Sequence, residues 1–262
     1  SQFGFGHTIN NLGSDYTIHS RYFNKNYKRF LPKDNNAKIF SPPPLKKRKI
    51  EFYGNSVTCG HAVEDNTGGD SGASKYENNY LTYAAITARH FNAQYSCIAK
   101  SGIGMMVSWA PAIMPEIYNR INPADSTSVW SFSKYVPDVV VVNLFQNDEP
   151  IVTRPEFKEF KRRFGTKPPT EEFIIKSYQT FIENIRNEYP KARIICVLGS
   201  MGATKTGSKW PGYIEKAVAN LQDKKVYTHF FPYKNTPGHP RVTEQKAMAE
   251  SLIKFIDTHV KW

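Results

Sequence analysis

The chain has 262 residues, of which 40% are hydrophobic and 22% charged, and 35 Lys and Arg against 23 Asp and Glu give a formal net charge of +12. That apolar content suffices for a core and excludes wholesale disorder. No run of apolar residues approaches the length of about 18 that is typical of a membrane span. The three cysteines lack a CxxC spacing, which argues against a disulfide framework or a zinc cluster and predicts small core residues at Cys59, Cys97 and Cys196.

Residues 1–45 are interpreted as a basic N-terminal segment that ends in a proline-rich linker. The segment has no sustained apolar period, and Pro42-Pro43-Pro44 is typical of a stiff extended spacer. Its start has neither a Met nor an apolar run, which we interpret as a processed or shortened chain. Residues 1–49 hold 10 basic and 2 acidic residues, so two thirds of the net charge lies in the N-terminal segment together with the basic run at residues 46–49, where the main domain, placed at residues 46–262, begins.

From residue 46 onward, short apolar runs alternate with longer amphipathic segments. Five runs predict buried strands, at Ile50–Tyr53, Tyr95–Ala99, Val139–Asn143, Ile194–Leu198 and Val226–Phe230. Four segments predict helices, at about Asn78–Phe91, Glu172–Glu188, Gly212–Leu221 and Val242–His259. Because parallel strands need long crossovers, this alternation predicts an α/β fold whose parallel sheet has helices on both faces and Val139–Asn143 at its centre. A reactive site in such a sheet forms beyond the carboxyl ends of the strands.

Two serines are candidates for a nucleophile. Ser56 leaves the first of the five strands on a Gly-Asn-Ser turn, which would expose its hydroxyl near backbone N–H groups, although the same residues are typical of a turn that caps a helix. Ser71 lies in a Gly-Asp-Ser-Gly stretch like that around the nucleophile of chymotrypsin-like proteases. That class needs a fold of two β-barrels with its His and Asp upstream, whereas this chain is predicted to be α/β, so Ser56 is favoured.

A general base must accompany Ser56, because a serine hydroxyl is a weak nucleophile until a neighbour takes its proton. His239 lies in the loop between the last strand and the last helix, at the rim of the sheet where a base could face Ser56. His61 is close in sequence but belongs to the same turn and cannot easily fold back onto Ser56. The other histidines lie in the N-terminal segment or inside predicted elements and are interpreted as structural or solvated: His7, His19, His90, His229 and His259.

Two further loops supply candidate donors for an oxyanion hole. Gly102 follows the second of the five strands and Asn147 follows the third. A glycine amide and an asparagine side-chain N–H above Ser56 would stabilise the negative oxygen of a tetrahedral intermediate. Taken singly, Gly102 is also typical of a turn and Asn147 of an Asx turn. Together with Ser56 and His239 they lie at the carboxyl ends of four predicted strands, which points to one site.

The order of these four residues resembles that of the SGNH, or GDSL-type, hydrolases, in which a Ser, a Gly, an Asn and a His follow one another in separate blocks. Within that superfamily, several stretches are similar to carbohydrate esterase family 2. The resemblance extends from about residue 46 to the end and is carried by residues 50–60, 114–118, 130–139 and 238–249.

The resemblance implies a flavodoxin-like three-layer sandwich with a central, mainly five-stranded parallel sheet. It implies a secreted or periplasmic serine esterase that removes O-acetyl groups from plant-type polysaccharides or oligosaccharides with neither metal nor cofactor. Ser56 would form the acyl-enzyme, His239 would act as general base, and the amides of Ser56 and Gly102 with the Asn147 side chain would form the oxyanion hole. The expected partner is an acetylated carbohydrate, with no nucleic acid. Family 2 members usually carry an N-terminal β-sandwich domain, of which residues 1–45 would be a short irregular or β remnant.

Three positions depart from the family pattern. Asn55 stands where Gly-Asp-Ser has its carboxylate, Phe145 stands where many members have a glycine, and Thr236 stands where the superfamily often has an Asp three residues before the His. Phe145 would narrow its turn or build an apolar wall. Thr236 predicts a Ser-His dyad whose imidazole is oriented by another group, such as a backbone carbonyl.

Two other functions stay open at this point. The departures, with Trp109, Trp130 and Trp210 as flat faces for sugar rings, also fit a carbohydrate-binding protein or a weakened enzyme on the same fold, although such aromatic residues more often pack in a core. The basic run at residues 46–49 is similar to a nuclear-targeting or nucleic-acid-binding patch. It leads directly into a predicted buried strand, which favours a solvated strand start.

Overall fold

The computed structural model describes residues 10–12, 15–19 and 44–262. In these residues, seven strands form a single sheet in the order β1-β2-β4-β3-β5-β6-β7. The strands are β1 Asn10–Leu12, β2 Asp15–His19, β3 Lys49–Gly54, β4 Gln94–Lys100, β5 Val139–Asn143, β6 Arg193–Leu198 and β7 Val226–Phe230. β3 to β7 run parallel, so their carboxyl ends meet at one edge.

The five predicted strands are confirmed, with bounds that differ by at most one residue. β5 is central among the parallel strands, as its run of four valines predicts, and all five of its residues are buried. Its neighbour β3 pairs Gly54 with Asn143 on one side and with Ala99 on the other. The residues that follow β3, β4 and β5 therefore leave the sheet side by side.

Eight α-helices are present in the described residues. They are α1 Ser56–Cys59, α2 Tyr83–His90, α3 Met114–Ile117, α4 Asp148–Ile151, α5 Lys158–Phe164, α6 Glu171–Glu188, α7 Trp210–Leu221 and α8 Val242–His259. The long helices match the prediction closely, apart from α2. That helix begins at Tyr83 because Thr82 caps it by accepting from the Ala85 N–H, and a short 3₁₀ turn at Asn79–Leu81 precedes it.

Helices cover both faces of the sheet, which confirms the predicted α/β class. α6 and α7 bury residues such as Phe181 and Ile214 against one face, where Val140 and Val142 of β5 point. On the other face, α2 and α8 pack against each other, and Leu252 belongs to the same apolar cluster as Val139 and Val141. The alternation of β5 side chains between the two clusters is what a strand buried on both faces requires. None of the described helices combines the length and apolarity that crossing a membrane demands.

Two short strands extend the sheet beyond its parallel part. β2 lies antiparallel to β4, and β1 lies antiparallel to β2. A short irregular or β segment was expected at this end of the chain, and the described part of it is β. The rest of residues 1–43, including His7 and the start of the proline triplet, lies outside the described residues, and the domain boundary after residue 45 stays a prediction.

The basic run at residues 46–49 lies at the start of β3. The Lys46 ammonium donates to the Ala93 carbonyl at 3.3 Å, and the Arg48 guanidinium donates to the Phe91 carbonyl at 3.4 Å. These contacts tie the run to the end of α2 and agree with the interpretation of a strand start. The three cysteines are unbonded to one another and buried, as predicted for small core residues.

Candidate active site

Ser56 is the first residue of α1, directly after β3. Asn55 caps the helix, since its side-chain oxygen accepts from the Val57 N–H at 3.1 Å. Only 6% of Ser56 is exposed. The sequence left open whether this turn caps a helix or presents a nucleophile. Asn55 supplies the cap, and the Ser56 hydroxyl contacts His239 instead, so the two interpretations are compatible.

His239 reaches Ser56 from the loop between β7 and α8. Its Nε2 atom lies 2.8 Å from the Ser56 Oγ, within the range of about 2.6–3.2 Å that a nucleophile and its base require. The two residues are 183 positions apart in sequence. The sheet brings them together because the loops after β3 and β7 both leave it at the carboxyl edge.

A third side chain, Asp70, binds the far side of the imidazole. Its Oδ2 lies 2.9 Å from His239 Nδ1, and its Oδ1 accepts from the His239 backbone N–H at 2.7 Å. Gly238 permits this approach, because a Cβ there would lie 2.7 Å from the Asp70 carboxyl carbon. The sequence predicted a Ser-His dyad whose imidazole is oriented by another group, and the structure shows that this group is the Asp70 carboxylate and not the backbone carbonyl given as an example. Ser56, His239 and Asp70 form a continuous chain of hydrogen bonds.

Thr236, where the superfamily often has the acidic residue, holds the loop instead of the imidazole. Its hydroxyl donates to the Glu244 carboxylate and accepts from the Lys234 ammonium, which also binds the Pro237 carbonyl at 3.0 Å. The Lys234 side chain is 4% exposed. These contacts fix the loop before His239, while the carboxylate that contacts the imidazole is supplied by Asp70.

The electrostatics of the three residues suit proton transfer from Ser56. Hydrogen bonds from His239 hold the pKa of Asp70 well below its usual range, so the carboxylate is ionised. An ionised carboxylate only accepts, and His239 Nδ1 therefore carries the ring proton and leaves the Nε2 lone pair facing Ser56. Burial lowers the pKa of His239 despite the opposing effect of Asp70, so the imidazole is neutral near pH 7 and can accept a proton.

Gly102 and Asn147 are joined by Trp109. The Trp109 N–H donates to the Gly102 carbonyl at 3.0 Å, and its indole Nε1–H donates to the Asn147 side-chain oxygen at 3.1 Å. Gly102 has φ +76°, and a Cβ there would lie 3.3 Å from the Trp109 Cβ. The Asn147 nitrogen donates one proton to the Ile103 carbonyl at 2.7 Å, which leaves its second N–H available to a ligand.

Asp148 anchors the same loop from below. Its carboxylate is fully buried and accepts from the backbone N–H groups of Met105, Met106 and Val107 at 2.7–3.1 Å. Burial raises the pKa of Asp148 to about 6, although the three N–H groups stabilise the charged form. This contact holds the segment after Gly102 against the turn that carries Asn147.

The other candidates from the sequence have different surroundings. The Ser71 hydroxyl accepts from the Ala73 N–H at 3.2 Å, and no histidine contact of Ser71 is found in the part of the chain that the structure describes. Trp130 and Trp210 are 7% exposed and belong to the core, whereas Trp109 is 42% exposed. His61 packs against His239 with 4.3 Å between ring centroids, and its Nδ1 lies 2.9 Å from Glu77. Burial opposes the charged form of His61, but Glu77 raises its pKa overall.

Known proteins resemble this chain over most of its length. No protein-family model matches it. It is 34% identical over 237 residues to the cellulase/esterase CelE of Acetivibrio thermocellus, a match that covers 86% of this chain and 27% of CelE. It is 25% identical over 232 residues to an acetylxylan esterase/glucomannan deacetylase of Cellvibrio japonicus, with 85% of this chain and 60% of that protein covered.

Solved structures give the family. A family two carbohydrate esterase from Clostridium thermocellum, in complex with cellohexaose, superposes with a TM-score of 0.71 and 35% identity, covering 84% of this chain and 67% of that one. The chain belongs to carbohydrate esterase family 2. A family two carbohydrate esterase from Cellvibrio japonicus, 23% identical, shares the fold with a TM-score of 0.71. This family 2 chain spans less than two thirds of the length of the curated relatives cited above, 27% of the first and 60% of the second.

Two departures of this family 2 chain from the expected pattern have a structural account. Asn55 is fully buried and makes a capping contact to Val57, so the turn at Ser56 is anchored without a carboxylate. Phe145 adopts φ +81°, the left-handed region that favours glycine. Its fully buried ring packs against Tyr178 and Trp210, each with 4.9 Å between centroids, inside the apolar core.

Sequence reasoning missed Asp70. It lies in the stretch that drew attention only through Ser71, and its contact with His239 spans 169 positions. The one available signal was an acidic residue in a glycine-rich loop after Ser56, which is also typical of a solvated turn.

Proposed function

We propose that this chain is a serine esterase that removes O-acetyl groups from plant-type polysaccharides or oligosaccharides. The observation that carries the proposal is the chain of contacts from Ser56 Oγ to His239 Nε2 at 2.8 Å and from His239 Nδ1 to Asp70 at 2.9 Å. Such an arrangement activates a hydroxyl for attack on an ester carbonyl. The acetylxylan and glucomannan activities in the names of the relatives support the substrate class.

The reaction would proceed in two halves through an acyl-enzyme. The Ser56 oxygen attacks the acetyl carbonyl carbon while its proton moves to His239 Nε2, and the resulting oxyanion is held by the amides of Ser56 and Gly102 and the free N–H of Asn147. The intermediate collapses, and the sugar oxygen leaves with the proton from Nε2. Water then attacks acetyl-Ser56 and gives a proton to Nε2, and acetate departs as Ser56 regains its hydrogen.

Asp70 acts through His239 and touches neither the substrate nor the reacting carbonyl. It keeps the ring proton on Nδ1 and stabilises the imidazolium that forms during each half-reaction. Trp109, 42% exposed and bonded to Asn147, gives the site an apolar face beside the oxyanion donors. We further propose that the protein acts in a secreted or periplasmic setting, where a polysaccharide too large to enter the cell is accessible.

The test compares the wild type with Ser56→Ala, and uses Ser71→Ala as the matched control. Hydrolysis of an aryl acetate and release of acetate from acetylated xylan or glucomannan are measured, with folding checked by circular dichroism. We expect S56A to lose nearly all activity and S71A to retain it. Undiminished hydrolysis by S56A would contradict the proposal.

A carbohydrate-binding protein without significant turnover is the alternative, and the same preparations distinguish it. The wild type is titrated with oligosaccharides in parallel with the acetate assay. Strong binding without acetate release would favour that alternative and would sink the esterase proposal.

A further inference from the structure

A second histidine brings three metal-ligating side chains together beside the proposed catalytic centre. One ligand atom each from His61, Asp70 and His239 lie within 4.8 Å of one another, and this is the one such group in the described residues. Their side chains are 20%, 32% and 18% exposed, so an ion from solvent can reach them. Two imidazoles and a carboxylate suit zinc and other borderline divalent transition ions.

Glu77 prepares His61 for this role. Its carboxylate is 2% exposed and lies 2.9 Å from His61 Nδ1. Histidines that bind metals commonly donate their other ring N–H to a carboxylate, which fixes the ring and leaves the second nitrogen as ligand. Glu77 has no part in the proposed hydrolysis, and its buried contact with a histidine that packs against His239 is otherwise unused.

We propose that His61, Asp70 and His239 form a zinc site and that zinc occupancy switches the esterase off. The inhibitory part rests on the proposed function. Zinc on His239 Nδ1 takes the place of the ring proton there, and Nε2 takes up a proton from solvent as the Nδ1 proton leaves, so the imidazole stays neutral and no proton is released overall. The single proton of the neutral imidazole must then be on Nε2, which can no longer accept the proton of Ser56. Asp70 is diverted from the imidazole to the ion. The ion is an inhibitor in this scheme and supplies no chemistry to the reaction.

Binding is tested first, without any reliance on activity. Zinc chloride is titrated by calorimetry into the metal-free wild type and the S56A, His61→Asn, Glu77→Gln and His90→Asn variants. We expect one ion per chain in the wild type and in S56A, which keeps all three ligands. H61N should weaken binding by about 100-fold and E77Q by about 10-fold, while H90N, an exposed histidine in α2, should match the wild type.

Inhibition is then measured with the aryl acetate and with labelling of Ser56 by a fluorophosphonate. Each variant is normalised to its own metal-free rate, and a chelator is added last. Zinc should suppress both readouts in the wild type and in H90N, H61N should resist, and chelation should restore the rate. Failure of S56A and the wild type to bind zinc, equal binding by H61N, or bound zinc without loss of labelling would each overturn the proposal. An inactive wild type that still binds zinc through His61 would overturn the esterase function and keep the site.

Discussion

Replacement of Asp70 separates a three-residue arrangement from a dyad. An ionised carboxylate about 4 Å from an imidazolium is worth about 4 kcal/mol at an effective dielectric constant of about 20. The Asp70 side chain is 32% exposed, and solvent screening reduces the value to about 3 kcal/mol, or about 100-fold in rate. We therefore expect Asp70→Ala to lower kcat by about 100-fold.

Asp70→Asn should be worse than the alanine variant, for a reason that the geometry supplies. The His239 backbone N–H donates to Oδ1 at 2.7 Å and keeps an acceptor at that place. The amide nitrogen would then occupy the Oδ2 position, 2.9 Å from Nδ1. A donor there favours the tautomer with its proton on Nε2, which cannot act as base, so the expected loss is about 1000-fold.

The assay for both variants is the initial rate of aryl acetate hydrolysis at neutral pH, with thermal unfolding as the check on folding. Ser71→Ala in the same loop is the matched control, because its hydroxyl contacts only the exposed Ala73 N–H among the bonds found. Rates of D70A and D70N within a few-fold of the wild type would refute the role of Asp70. A loss in D70A greater than that in D70N would refute the tautomer argument.

Three further predictions concern Phe145 in the turn before Asn147, the contact between Trp109 and Asn147, and the pKa of His239. Phe145→Gly removes the strain of a left-handed backbone, about 1–2 kcal/mol, but also removes a buried ring that contributes about 3–5 kcal/mol. The free energy of unfolding, measured with denaturant, should therefore fall by about 2–3 kcal/mol. Equal stability of the variant and the wild type would contradict this. Trp109→Phe deletes the hydrogen bond to Asn147 and should lower kcat about fivefold with KM for an aryl acetate nearly unchanged; an unchanged kcat would exclude a positioning role. Because burial lowers the pKa of His239, kcat/KM should fall with decreasing pH through a midpoint below about 6.5, and a midpoint above 7 would be inconsistent with that assignment.

The sheet was predictable from sequence because its strands are buried on both faces. Four consecutive valines in β5 leave no polar face, and such runs bounded by turns and separated by amphipathic helices are typical of parallel sheets. The short helices were not predictable, since α1 and α4 have four residues each and too few for a period. Their form depends on tertiary contacts such as that of Asp148 with the segment after Gly102.

The candidate site was predictable where a residue directly follows a strand. Ser56, Gly102 and Asn147 each come within a few residues of a carboxyl end, and topology alone places them at one edge. Asp70 does not come shortly after a strand, so the strand order does not predict its position. It follows a helix turn and a loop, has φ +53°, and meets His239 only through the folded path of both loops. Propensity and spacing carry no information about such a contact.

The source of the carboxylate has a consequence for how related sequences are sorted. A search that demands an acidic residue three positions before the histidine would class this chain as degenerate, because it finds Thr236 there. In this structure the carboxylate that contacts the His239 imidazole is that of Asp70, which lies in the loop after Ser56 and not in the loop that carries His239. Relatives that lack the usual acidic residue should therefore be inspected in the loop after the serine before they are set aside as pseudo-enzymes. In relatives that carry an acidic residue in the loop after the serine, the residue at position 236 need not orient the imidazole and can act only in holding its own loop.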